Sequence, residues 1–164
     1  MPIYVHLTSE KLTGRIRRAG VTKGMRGVFC LPVLPNYAIS HQWLRELKRR
    51  GQRTLVGVYF WLPDDELVSV GRYNQPHTQM TAEEASAYIM AAPDPLGFEV
   101  IVPRSIGASE IRKVRSVPQV VGWRCMPDAH RRPLCQCSYC SGGEIKHQRR
   151  KKYYAKRFGA RYDY

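Results

Sequence analysis

The chain has 164 residues, of which 43% are hydrophobic, and it carries 27 lysines and arginines against 13 aspartates and glutamates. This length and apolar content predict a folded domain with a core and exclude a disordered tail. The net charge of +14 favours a polyanionic partner, most often nucleic acid, over mere solubility or adhesion to an anionic membrane. The sequence shows no apolar run that could span a bilayer and no leader of signal-peptide type, so we expect a cytoplasmic protein.

The N-terminal part of the chain predicts strands alternating with helices. Residues 3–8 alternate in polarity as a strand does, and Ser9 is a suitable N-cap for a helix that ends at Gly20. After a basic loop that contains glycines, residues 28–33 form a second apolar strand pattern. Ser40 then predicts the N-cap of a second helix.

The middle of the chain continues with two strands and one well-marked helix. Residues 54–62 are strongly apolar, and residues 67–70 follow a Pro-Asp-Asp turn, which predicts a strand on each side of that turn. Thr81 and Glu84 have the spacing of a capping box. A helix is therefore expected to follow Thr81 and to extend to about Ala91.

One carboxylate lies within an apolar strand pattern. The stretch from Gly97 to Pro103 is rich in β-branched residues and bounded by glycine and proline, which indicates a buried strand with Glu99 inside it. An ionised carboxylate in apolar surroundings is costly unless it is paired. Either Glu99 points to solvent from an edge strand, or it faces a cleft where it stabilises a cation or takes a proton.

The remaining elements complete the predicted fold class. Beyond the Glu99 strand we expect a short helix over residues 108–115 and a strand over residues 119–125. No internal repeat interrupts the order. Several neighbouring strands with few helices predict an α+β fold.

The five cysteines indicate a metal site. Cys30 stands alone, whereas the other four cluster at short spacings, which in a reducing compartment favours metal ligation over disulfides. A structural zinc ion needs four S or N ligands, and the predicted set is Cys135, Cys137 and Cys140 with His130 or Cys125 as the fourth. Reduced free thiols and an iron–sulfur cluster are the alternatives.

The C-terminal segment is a basic arm. Its cations alternate with tyrosines and a phenylalanine, and such a pattern can neutralise phosphates and stack on unpaired bases. The predicted nucleic-acid-binding residues are Arg149, Arg150, Lys151 and Lys152. A solvated charged face is the alternative, and the basic residues near the N-terminus, Arg15, Arg17, Arg18 and Lys23, are then the next candidates.

Three segments in chain order resemble a known enzyme superfamily. They are Val5-His6-Leu7-Thr8, then Gly27-Val28-Phe29-Cys30 with Ser40-His41-Gln42-Trp43, and finally Phe98-Glu99-Val100-Ile101-Val102. Together they resemble the ADP-ribosyltransferase superfamily, and most closely its His–aromatic–Glu branch, which includes the poly(ADP-ribose) polymerases. The resemblance extends from about residue 3 to about residue 115.

The resemblance implies a role for each matching residue. Glu99 would be catalytic, and His6 would hold the adenosine ribose of NAD. The backbone beside His6, at Leu7 and Thr8, would hold the nicotinamide amide. Ser40 would bind the carboxamide, while Phe29 and Trp43 would stack on the nicotinamide ring. The polymerases have tyrosines where Phe29 and Trp43 stand, so stacking is retained but a hydroxyl is lost.

The resemblance also implies a fold and an activity. Residues 1–118 would form a split β-sheet NAD-binding domain, and residues 119–164 a zinc-binding, basic extension packed on it. The activity would be NAD-dependent mono-ADP-ribosyl transfer to a nucleic acid, as in toxin or defence transferases, for which an antitoxin protein is a further expected partner. A zinc-stabilised binding module without catalysis and an RNA 2′-phosphotransferase are the alternatives.

Overall fold

Seven strands form one antiparallel sheet in this computed structural model, which describes residues 1–49, 53–119 and 122–123. The strands are β1 (Ile3–Ser9), β2 (Val28–Pro32), β3 (Leu55–Trp61), β4 (Leu67–Arg72), β5 (Thr78–Thr81), β6 (Phe98–Val102) and β7 (Ile111–Ser116), and their order in the sheet is β5-β4-β6-β2-β1-β3-β7. With few short helices beside the sheet, the predicted α+β class is confirmed.

The helices are short. They are α1 (Thr13–Ala19), α2 (Tyr37–Ser40), α3 (Leu44–Arg49) and α4 (Ala82–Ala91), with 3-10 turns at Glu10–Leu12 and Ala108–Glu110. The capping box at the start of α4 is confirmed, because the Thr81 hydroxyl accepts from the backbone N–H of Glu84 and the Glu84 carboxylate accepts from that of Thr81. Gly20 ends α1 with a φ of 79°, a conformation that favours glycine.

Two predicted helix positions are wrong. Ser40 is the last residue of α2 and not an N-cap, because the side chain of Asn36 already caps that helix by accepting from the Ala38 N–H. Residues 108–115 form only a 3-10 turn followed by β7. The partner of β7 is β3, and this pairing across more than fifty residues overrides the local helical pattern.

The sheet has two differently covered faces. The first face packs on α1 and α4, and there the Tyr4 hydroxyl donates to the carbonyl of Ala82 at 2.6 Å. Buried residues such as Phe60, Val100 and Ile89 form this core. Because side chains alternate along a strand, the residues between them project to the second face. The second face carries α2, α3 and, on β6, Glu99.

The pairing of β1 with β2 is much shorter than the strands themselves. β1 pairs with β3 along its whole length, from Ile3 to Ser9, but its residues in register with β2 are Tyr4 and Val5. Within the described residues, β1 therefore separates from β2 at His6. The sheet opens at this point, although β1 stays paired with β3 and β2 stays paired with β6.

Several predictions lie outside the described residues. They are the zinc ligands Cys125, His130, Cys135, Cys137 and Cys140 and the basic residues Arg149, Arg150, Lys151 and Lys152. The described residues belong to the first of two compact units, Met1–Cys125, and the boundary between residues 118 and 119 stays a prediction. In the part of the chain that the structure describes, no helix is long and apolar enough to cross a membrane.

Candidate active site

Glu99 is a buried carboxylate on an interior strand. β6 lies between β4 and β2, and Glu99 is directly opposite Gly71 of β4. Only 5% of Glu99 is exposed. The alternative of a solvent-facing carboxylate on an edge strand is therefore wrong, and the cost of burying this group requires local compensation.

His77 lies against this carboxylate. Its Nε2 is 3.6 Å from Oε2 of Glu99, and the two side chains are 7% and 6% exposed. The imidazole occupies the space that a side chain at position 71 would fill, because a Cβ on Gly71 would overlap Cδ2 of His77 and the carbonyl of Pro76. Gly71 thus allows the loop after β4 to fold back and bring an imidazole to Glu99. No pattern in the sequence indicates this position for His77.

The surroundings of His77 lower its pKa. Burial is the largest cause and the positive charge of Arg26 adds to it, while a backbone contact with Arg72 acts in the opposite direction. Its Nδ1 is buried and has no hydrogen-bond partner among the described residues. The separation from Glu99 is slightly longer than a hydrogen bond, and catalytic contacts of this kind often shorten only when substrate binds.

Trp43 joins the helical layer to the strand of Glu99. Its indole Nε1–H donates to the carbonyl of Phe98, the residue before Glu99, at 2.7 Å. Its ring packs against Tyr73 and Trp123, with centroids 5.4 Å and 5.0 Å away. Trp43 therefore lies beside the predicted catalytic residue, half-buried. Its stacking on nicotinamide stays a prediction.

His6 bridges the opening between β1 and β2. Its Nδ1 lies 2.7 Å from the carbonyl of Phe29, and because a carbonyl only accepts, Nδ1 carries the proton. Burial lowers the pKa of His6, so the ring is neutral and Nε2 is an acceptor. Leu7 and Thr8 follow on the same strand, beyond the last residues paired with β2. Their backbone roles stay predictions.

Phe29 and Arg26 form the exposed part of the site. Phe29 is 38% exposed, and the guanidinium carbon of Arg26 lies 5.6 Å from the centre of its ring. Arg26 is in the loop between α1 and β2, and its charge also acts on His77. An aromatic ring and a cation therefore stand near the Glu99–His77 pair.

Ser40 has a structural partner already. Its hydroxyl oxygen accepts from the backbone N–H of Leu34 at 2.7 Å, and the residue is buried. A contact between this hydroxyl and a carboxamide would require the loop before α2 to rearrange. That contact stays a prediction.

A second histidine cluster lies on the face of the sheet that carries Glu99. Nε2 of His41 accepts from the Tyr59 hydroxyl at 2.8 Å, and its Nδ1–H donates to the carbonyl of Tyr37 at 2.9 Å. The ring of Tyr37 stacks on the imidazole at 3.8 Å. The spacing of Tyr37 and His41, one helical turn, is the only sequence feature that indicates this contact.

The structure thus brings four of the predicted residues to β2 and β6, namely His6, Phe29, Trp43 and Glu99. His6 binds the backbone carbonyl of Phe29 on β2, and β2 pairs with β6. On β6, Glu99 follows Phe98, whose carbonyl accepts from Trp43. No family model, curated protein or solved structure matches the chain. Any function must therefore be inferred from this arrangement.

Proposed function

We propose that the protein is an NAD-dependent mono-ADP-ribosyltransferase that transfers ADP-ribose to nucleic acid and releases nicotinamide. The observation that carries this proposal is the buried carboxylate of Glu99 on an interior strand. His77 lies against this carboxylate, and the carbonyl of the preceding residue, Phe98, accepts from the indole N–H of Trp43. Burial of a carboxylate is costly. A buried carboxylate is useful, however, in a site that must stabilise a developing positive charge.

The opening in the sheet supports an ADP-ribosyltransferase-like split sheet as the finer description of the fold. β1 and β2 separate at His6, and the His6 side chain takes the Phe29 carbonyl that strand pairing would otherwise hold. A ligand could therefore reach backbone groups of β1 beyond this point. The resemblance implies such a contact for the nicotinamide amide.

The proposed reaction breaks one bond and forms one. The bond between the ribose C1′ and the nicotinamide nitrogen breaks, and its electron pair leaves with nicotinamide, which becomes neutral. C1′ then bonds to a nucleophilic oxygen or nitrogen of the acceptor, whose proton passes to a base or to water. Glu99 would stabilise the cation-like ribose in the transition state.

The other site residues would bind and orient the dinucleotide. The neutral His6 offers Nε2 as an acceptor for a ribose hydroxyl. Phe29, which is partly exposed, and Trp43 offer aromatic faces for the nicotinamide ring. A structural zinc ion, bound by Cys135, Cys137, Cys140 and either His130 or Cys125, remains part of the proposal. An antitoxin protein also remains part of the proposal, as a binding partner.

Label transfer tests the proposed function. The full-length protein is incubated with NAD labelled in the adenylate part and with single-stranded DNA, RNA, duplex DNA and protein in separate reactions, and free nicotinamide is measured in parallel. We expect label on nucleic acid and release of nicotinamide. If a folded protein gives neither, the proposal is wrong and the non-catalytic binding module remains.

A further inference from the structure

Two exposed aromatic rings lie on the face of the sheet that carries Glu99. Trp61 and Tyr37 are each 40% exposed. Trp61 projects to the same side of β3 as Tyr59, two residues earlier, and Tyr37 reaches that side by stacking on His41, which binds the Tyr59 hydroxyl. A Cβ on Gly57 would lie 3.1 Å from the Tyr59 hydroxyl, so the Tyr59 side chain leans away from Trp61, and the two exposed rings lie on the same face on either side of it.

Cations from the edge strand lie over the rings of this face. The guanidinium carbon of Arg112 is 5.3 Å from the centre of the Trp61 ring, and Nζ of Lys113 is 4.9 Å from that of Tyr59. The pairing of β3 with β7 shifts register between Tyr59 and Phe60. Arg112 is the unpaired residue at this irregularity, which lets its side chain reach Trp61.

β7 itself has no acidic residue. Its sequence, Ile-Arg-Lys-Val-Arg-Ser, adds Arg115 to the two cations. Charged residues on an edge strand also prevent aggregation, so the cations alone do not indicate a ligand. The placement of Arg112 over the exposed ring of Trp61 is a separate feature, because protection of the edge does not require it.

The turn after Trp61 contains three carboxylates, Asp64, Asp65 and Glu66, which would oppose an anion. Asp64 is paired with the Met1 amino group, at 2.7 Å from its Oδ1, and Glu66 is paired with Arg104, also at 2.7 Å. These pairings offset two of the three negative charges beside Trp61. The three cations of β7 therefore outweigh the acidic turn on this side of the sheet.

We propose that this surface, the stacking face, binds single-stranded nucleic acid. It comprises Tyr37, Trp61, Arg112, Lys113 and Arg115. Exposed rings stack on bases whose faces are free, as in a single strand, while cations contact the phosphates. In a duplex the base faces are covered by their neighbours. Only the further step, that the bound nucleic acid accepts ADP-ribose in the reaction at Glu99, rests on the proposed function.

Binding without NAD tests the stacking face independently of catalysis. Fluorescence anisotropy would follow a labelled oligonucleotide of about a dozen nucleotides, as single-stranded DNA, as RNA and as duplex DNA. We expect Trp61→Ala to weaken single-strand binding by about 5-fold or more, and Trp61→Tyr to restore most of it. Arg112→Gln should reduce the slope of log affinity against log salt by about 0.7.

Two variants outside the stacking face serve as matched controls. Tyr88→Ala removes an exposed ring from α4, and Lys11→Gln removes an exposed cation from the 3-10 turn before α1; neither should change single-strand affinity by more than about 2-fold. A preference between DNA and RNA would identify the acceptor class. Parental affinity in both Trp61→Ala and Arg112→Gln, or equal losses in the controls, would overturn the proposal.

The binding and transfer results distinguish the two proposals. If the variants behave as expected but the parent never transfers ADP-ribose, the stacking face stands and the proposed function is wrong. If the parent modifies nucleic acid and Trp61→Ala binds normally, the function stands and the stacking face is wrong. Melting temperatures confirm that each variant is folded.

Discussion

The imidazole of His77 and the carboxylate of Glu99 form a buried pair that depends on a glycine. Nε2 and Oε2 are 3.6 Å apart, and the imidazole lies over Gly71, directly opposite Glu99 on the neighbouring strand. A packed histidine restricts the rotamers of the carboxylate and excludes water from one side of it. We therefore expect His77 to position Glu99.

Replacing Gly71 with alanine should disrupt this pair. The new methyl group would overlap the His77 ring and the Pro76 carbonyl, so the loop must move away from Glu99. We expect destabilisation of about 1–3 kcal/mol and at least a 10-fold loss of transfer. Urea unfolding and label transfer measure the two effects.

Gly14→Ala is the matched control for Gly71→Ala. Gly14 is exposed in α1, and a methyl group there would meet only the end of the Arg18 side chain, at 3.7 Å. This substitution should stabilise the protein by about 0.5–1 kcal/mol, because glycine is unfavourable within a helix. A Gly71→Ala protein that is as stable and as active as Gly14→Ala would show that the His77 position is unimportant.

Glu99→Gln should nearly abolish transfer while leaving NAD affinity within a few-fold. The amide keeps the shape of the side chain but removes the charge that would stabilise the ribose cation, a loss of roughly 100-fold or more in rate. Single-turnover transfer and equilibrium NAD binding separate the two effects. Glu83→Gln, an exposed carboxylate on α4, is the control, and ordinary turnover by folded Glu99→Gln would contradict the assignment.

Local sequence patterns predict β1 to β4, β6 and the capping box of α4. They do not predict β5, and the described residues of the predicted strand over 119–125 are not in a strand. The apolar run before Trp61 and the Thr81–Glu84 pair determine their own structure, because the relevant contacts are within or close to each element. The local pattern of residues 108–115 predicts a helix, whereas β7 forms there because it is stabilised by pairing with β3. Sequence periodicity does not show which distant edge a strand will join.

The residues of the candidate site also differ in whether local sequence patterns predict them. Glu99 could be identified because one carboxylate within an apolar strand is unusual. His77 could not, since its position depends on a loop conformation and on the absence of a side chain at Gly71. Ser40 was given an N-cap role because serine favours that position, but Asn36 lies four residues earlier and caps α2 first.

Zinc should be present at one ion per chain. Cys135, Cys137 and Cys140 with His130 or Cys125 have the ligand types of a structural site, and ligation couples to local folding. Within the described residues, no group of three or more His, Cys, Asp or Glu residues could hold a metal ion. Elemental analysis of protein purified under reducing conditions tests this, and metal-free folded protein would contradict it.

Protein stability should fall as the pH drops below about 7. Burial lowers the pKa of His6, His41 and His77 in the folded state, whereas in the unfolded chain each titrates near about 6.5. Below about pH 7 the unfolded state therefore binds more protons. The stability contribution is complete above that unfolded pKa and is lost as the pH falls from it through the lowered folded-state pKa, by up to about 1.4 kcal/mol per pH unit for each histidine.

Urea unfolding at about pH 7.5, 6.5 and 5.5 measures this dependence. The carboxyl groups of Glu84, Asp94 and Glu110, whose pKa values are lowered by hydrogen bonds, lose their contribution only at more acidic pH. His77→Gln removes one of these three titrating rings. The stability of the variant should therefore fall less steeply with decreasing pH than that of the parent, and the difference in slope should correspond to at most one bound proton. If His77→Gln and the parent have the same slope, the His77 ring does not remain neutral beside Glu99 and Arg26 in the folded protein.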